Sequence, residues 1–168
     1  KAINKAIALS DLVSKKEQAY ISALSVRYDG NPESNRAPLD LAYADAMEDL
    51  SKNYPNDHDA ASLFAEALMN TMPWNYWAED GDPKPDTVKV IDSLETVLEK
   101  NPDHPLAIHL YIHAVEASSD PGRAEGPADR LGKLVPGAGH LVHMPAHIYW
   151  RIGRYHDASL VNIEAAKV

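Results

Sequence analysis

The sequence predicts an all-α fold, a solenoid of antiparallel helix pairs. Three observations carry that expectation. Amphipathic segments ending at residues 50–55, 98–102 and 131–136 each run into a proline, Pro55, Pro102 and Pro136, which cannot continue a helix. Pro136 follows Pro102 by 34 residues, a period typical of helical hairpin repeats. A single Phe beside many Ala and Leu suits close helix packing better than a β-sandwich.

The elements follow in order. Residues 1–14 resemble half of a helix pair, and helices near 17–28 and 39–53 form a looser first pair joined by the Gly30–Pro38 loop. The pairs are expected over 17–55, 56–102, 103–136 and 137–168, within one domain covering 1–168. Pro55 and Pro102 stand 47 residues apart, 13 more than the period. The excess is placed at 73–86, where Pro73, Trp74, Tyr76, Trp77, Pro83 and Pro85 mix with acidic residues and interrupt the pattern. In the last pair Gly153 marks the turn between helices, where a positive φ is often needed.

Ala146, Tyr149, Gly153, Tyr155, Ala158 and Ala165 fall at the spacing of the small and aromatic positions of tetratricopeptide repeats. The chain resembles that superfamily over most of 17–168. More narrowly, His109-x3-His113 followed by His143-Met-Pro-x-His147 is similar to a group of bacterial tetratricopeptide proteins with no assigned reaction. The resemblance implies a right-handed superhelix, a concave groove lined by the first helix of each pair, and a chain that is a piece of a longer protein with further repeats.

Bulk properties narrow the function. Net charge is −9 and the longest cationic run is Lys15-Lys16, which argues against nucleic acid or an anionic membrane as the main partner. No apolar stretch approaches the roughly 18–20 residues of a membrane span. The absence of cysteine excludes disulfides, iron–sulfur clusters and thiolate zinc sites. A soluble protein of the cytoplasm or periplasm is expected, with the compartment open.

The histidines carry the functional signal. His109 and His143 stand 7 residues past Pro102 and Pro136; His113 and His147 stand 11 past them, and Glu66 stands 11 past Pro55. His140 falls at offset 4, and Glu116 and Trp150 at offset 14. Offsets 4, 7, 11 and 14 share one helical stripe about 80° wide. The apolar set Ile108, Tyr111, Ile112 and Val115, matched by Val142, Ala146 and Tyr149, lies on a different stripe that reads as core. Histidines at i and i+4 face one way, as ligands of one metal ion must.

His109, His113, His143 and His147 are therefore candidate ligands for zinc, copper, nickel or iron, with Glu66 and Glu116 as carboxylate assistants and His140 extending the polar set. Pro145 sets a limit: a helix starting there leaves His140 and His143 in the preceding loop. Trp74 and Trp77 are expected either to plug an exposed end or to wall the groove. Trp150 and Arg151 would offer a ring and a fixed charge to a small acidic or peptide ligand. His104 and His58 read as helix-start residues, and His156 needs no function.

No phosphate loop, serine elbow, His-Glu-x-x-His helix or calcium loop is present. Three functions stay open: a binding module with a histidine-rich ligand site, a plain protein-interaction scaffold, and a metal-dependent enzyme.

Overall fold

The computed structural model describes residues 2–168, and among them every regular element is helical. Helices pack mainly on their neighbours in sequence, and none is long and apolar enough to cross a membrane. The chain divides into two compact units, 1–74 and 75–168, with the division inside the interrupting segment.

The first unit contains α1 (Ala2–Ala8), α2 (Lys15–Ser25), α3 (Arg36–Asn53) and α4 (His58–Thr71), with a 3-10 turn at Ser10–Leu12. Each later start is chemically marked. Ser14 and Glu17 form a reciprocal capping box on α2, Asn35 caps α3, and Asp57 caps α4 by accepting from the Ala60 N–H at 3.2 Å. Helix α3 stops two residues before Pro55. Tyr43, Ala44, Met47 and Leu50 of α3 meet Ala60, Phe64, Ala65 and Leu68 of α4 as the buried core of this unit.

The second unit contains α5 (Pro85–Lys100), α6 (Pro105–Val115), α7 (Glu125–Leu134), α8 (Gly139–His143), α9 (Pro145–Arg151) and α10 (Tyr155–Ala165), with a 3-10 turn at Pro121–Ala124. Proline opens α5, α6 and α9, and at the starts of α5 and α6 its fixed φ and missing N–H cost nothing. Helices α5 and α7 end two residues before Pro102 and Pro136. Gly153 takes φ +84° between α9 and α10. Ile108, Tyr111, Ile112 and Val115 are buried, as are Val142, Ala146 and Tyr149, so the expected apolar stripe is the packed one.

Two core tyrosines of the second unit, Tyr111 and Tyr149, end in an acid and an arginine. Tyr111 donates to Glu95 at 2.5 Å, and Arg123 pairs with Glu95 while lying over the Tyr111 ring at 5.9 Å. Tyr149 donates to Asp129 at 2.6 Å, and Arg154 pairs with Asp129 at 2.9 Å while lying over the Tyr149 ring at 4.1 Å. Buried tyrosine hydroxyls need such partners. Burial first, then the adjacent carboxylates, pushes both phenols above their ordinary range.

The interrupting segment forms a small loop on α5 and α6. Ala78 donates to Asp82 at 2.9 Å, Lys84 donates to Tyr76 at 3.0 Å, and the Thr87 hydroxyl donates to the Tyr76 carbonyl at 2.6 Å. Tyr76 is buried, and the Trp77 indole donates to the Ala114 carbonyl at 2.8 Å, near the end of α6.

Candidate metal centre

Helix α6 packs between α5 and α7 and also touches α9; α8 and α9 pack on α7 and α10. Its core residues fix the rotation of α6, which sets His109 and His113 on a separate, partly covered stripe. His104 belongs to the fold, since its Nδ1 accepts from the Ala107 N–H at 3.2 Å and caps the helix.

The fourth pair differs from expectation. His140 and His143 lie in the short helix α8 and not in a loop. Met144 keeps helical dihedrals across the step into Pro145, and its N–H reaches the His140 carbonyl at 3.1 Å. Pro145 removes one backbone hydrogen bond without unwinding the chain on its N-terminal side. The break between α8 and α9 also changes the partnering. Equal offsets would set His109 beside His143, but the nitrogen facing His109 belongs to His140, at 3.1 Å.

The result is a closed ring of five imidazoles. Ring centroids are 5.0 Å apart for His109 and His113, 5.3 Å for His113 and His147, and 4.9 Å for His147 and His143. His143 to His140 is 6.3 Å, and His140 to His109 closes the ring at 5.0 Å. His140 is exposed, whereas His109, His113, His143 and His147 are partly covered.

Glu116, at the C-terminal end of α6, orients two of these rings. Its carboxylate accepts from His113 Nδ1 at 3.1 Å on one oxygen and from His147 Nδ1 at 2.7 Å on the other. Burial raises the Glu116 pKa, but these hydrogen bonds outweigh it and hold the group down at about 2. An ionised carboxylate only accepts, so both Nδ1 atoms carry a proton, and in the neutral imidazoles it is Nε2 that keeps the lone pair.

Asn162 of α10 does the same for His143. Its amide nitrogen donates to the Ala158 carbonyl at 2.9 Å, which fixes the amide and turns its oxygen to His143 Nδ1 at 2.5 Å. His143 Nε2 is left basic and lies 3.0 Å from His147 Nε2. Two lone pairs at that distance repel unless a cation lies between them, either a shared proton or a metal ion. Two nitrogens bound to one ion at 2.0–2.1 Å are about 3.0–3.4 Å apart. The 3.0 Å His143–His147 and 3.1 Å His109–His140 separations match that edge.

Among the described residues two groups bring three ligand atoms within 4.8 Å of one another: His109, His113 and His140, and His113, Glu116 and His147. Either could hold a metal ion. The second coincides with the hydrogen-bonded carboxylate bridge, so we read Glu116 as an orienting group behind the ligands. Burial, followed by repulsion from His113, His140 and His147, lowers the His109 pKa to about 4. His140 is lowered by burial and by His113, His143 and His147. One carboxylate beside these imidazoles leaves a site that attracts cations.

Glu66, on α4, and Trp74, exposed with φ +60°, lie in the first unit. Trp77 spends its N–H on the Ala114 carbonyl. Trp150 is exposed and meets Tyr155 edge to face at 5.1 Å, and Arg151 beside it is exposed. Asn162 is the residue that sequence reasoning missed: it belongs to a second helix, outside the offset pattern, and only tertiary packing brings it to His143.

No family model, curated protein or solved structure matches the chain. Fold and site together define an all-helical protein with a histidine cluster able to take a metal.

Proposed function

We propose that this chain is a tetratricopeptide-type binding module whose histidine ring binds a transition metal ion. The observation that carries the reading is the facing of Nε2 atoms at 3.0 and 3.1 Å, with Nδ1 of His113, His143 and His147 already committed to Glu116 and Asn162. A basic nitrogen turned inward and an anchored nitrogen behind it is the usual arrangement of ligating histidine. With imidazole donors and no thiolate, zinc, copper(II), nickel and iron(II) are the suitable ions, and copper(II) should bind tightest. The repeat spacing and sequential helix packing support the module reading, in which the histidine stripe lines the groove of a solenoid.

Elemental analysis of protein purified without an affinity tag or chelator tests this, beside the His109→Ala/His113→Ala double variant. Bound metal in the wild type that falls in the variant is expected. No metal in either protein after reloading would remove the metal reading.

A second reading attaches to the exposed Trp150 and Arg151, which together present a ring face and a cation. A peptide or small acidic ligand would be held there by stacking and a bidentate ion pair. Binding that survives loss of the histidines but not of Trp150 would favour it.

A further inference from the structure

The geometry points to two metal ions in the histidine ring, one held by His109, His113 and His140 and the other by His143 and His147. The inference rests on the metal reading above and specifies its stoichiometry and ligand sets.

Three observations support it. First, the two short Nε2–Nε2 edges, His109–His140 at 3.1 Å and His143–His147 at 3.0 Å, share no residue. Second, the ligands of one ion lie at most about 4.2 Å apart, twice a metal–nitrogen bond. Among the described residues no group joins either histidine of the first edge to either of the second, even within 4.8 Å. The edges therefore belong to different ions; His113 forms an all-imidazole triad with His109 and His140, whereas its grouping with His147 runs through the orienting Glu116. Third, Glu116 holds one ligand of each set through its two oxygens, His113 on one side and His147 on the other. A single anionic residue thus orients both sites and offsets part of their charge.

Neither set is complete. Three imidazoles leave one position of a tetrahedral ion open, and two leave two. Oxygen donors from solution, such as water or a small oxyanion, would fill them, and a bridging oxygen is the simplest ligand shared by neighbouring ions.

The test uses the full chain, stripped with chelator and reloaded with copper(II), then read by elemental analysis and electron paramagnetic resonance. Two equivalents with a magnetically coupled spectrum are expected. His109→Ala/His140→Ala and His143→Ala/His147→Ala should each retain one equivalent and give the spectrum of an isolated ion. Circular dichroism checks that each variant folds. If a double variant does not, the exposed His140→Ala alone should weaken one of the two equivalents at least tenfold and leave the other unchanged. A single equivalent in the wild type would overturn the two-ion inference and leave the metal reading standing. No bound metal would overturn both. Two equivalents with isolated-ion spectra, or two that persist in both double variants, would also overturn the inference.

Discussion

Replacing Glu116 with Gln tests how the site is oriented while nearly preserving volume. The carboxylate accepts two N–H donors, at 3.1 Å from His113 and 2.7 Å from His147. Glutamine has one accepting oxygen, so its amide group must face the other imidazole, donor against donor. The shorter contact is the better one to keep, which leaves His113 opposed. That ring relieves the conflict by moving its proton to Nε2, closing the lone pair it would give to a metal. Loss of an orienting partner typically weakens metal affinity 10- to 100-fold, or about 1.4–2.7 kcal/mol. Competition for zinc against a chromophoric chelator measures this directly, and a thermal melt of metal-free protein confirms folding. An affinity within twofold of wild type in a folded Glu116→Gln protein would refute the orientation argument.

The other predictions concern the remaining supports of site and fold. Asn162→Ala frees His143 Nδ1 and should weaken metal binding several-fold in the same competition assay while changing the melting temperature little. Ile112→Ala, at a fully buried position of α6, should cost about 2–4 kcal/mol in urea unfolding. Asp57→Ala removes the α4 cap and the 2.9 Å ion pair to Lys16, for a loss of about 1–2 kcal/mol; Asp57→Asn keeps the cap and should lose less. Folding lowers the His109 pKa from 6.5 to about 4, so its contribution is full above pH 6.5 and is lost as pH falls towards 4. Urea unfolding of metal-free protein should lose on the order of 2 kcal/mol over that window, after allowance for partial exposure, and His109→Ala should flatten the curve.

Local information was readable in the sequence. Helix periodicity separated Ile108, Tyr111 and Ile112 from His109 and His113, and the structure buries the first set and leaves the second in the ring. Prolines gave the ends of α3, α5 and α7 to within two residues. Register between helices was not readable. Offset counting assumes equal helices, and the α8–α9 break at Pro145 violates that, so His140 and not His143 is the partner of His109. The role of Asn162 depends on how α10 packs, and the bridging by Glu116 needs His147 from another helix. The insertion was legible as an interruption. Its attachment through Trp77 to the end of α6 depends on a long-range hydrogen bond that no local pattern encodes.

The acid–arginine clamps on Tyr111 and Tyr149 have a consequence for how freely this site can diverge. On α6, Tyr111 and the isoleucines belong to the buried stripes, while His109, His113 and Glu116 occupy a separate, partly covered one. Structure and ligation are thus written in separate columns of the same helix. A lineage could erase the histidines, or exchange them for aromatic or acidic groups, without solving the packing problem again. The same scaffold is free to trade one ligand for another by single steps, each of which leaves a folded protein.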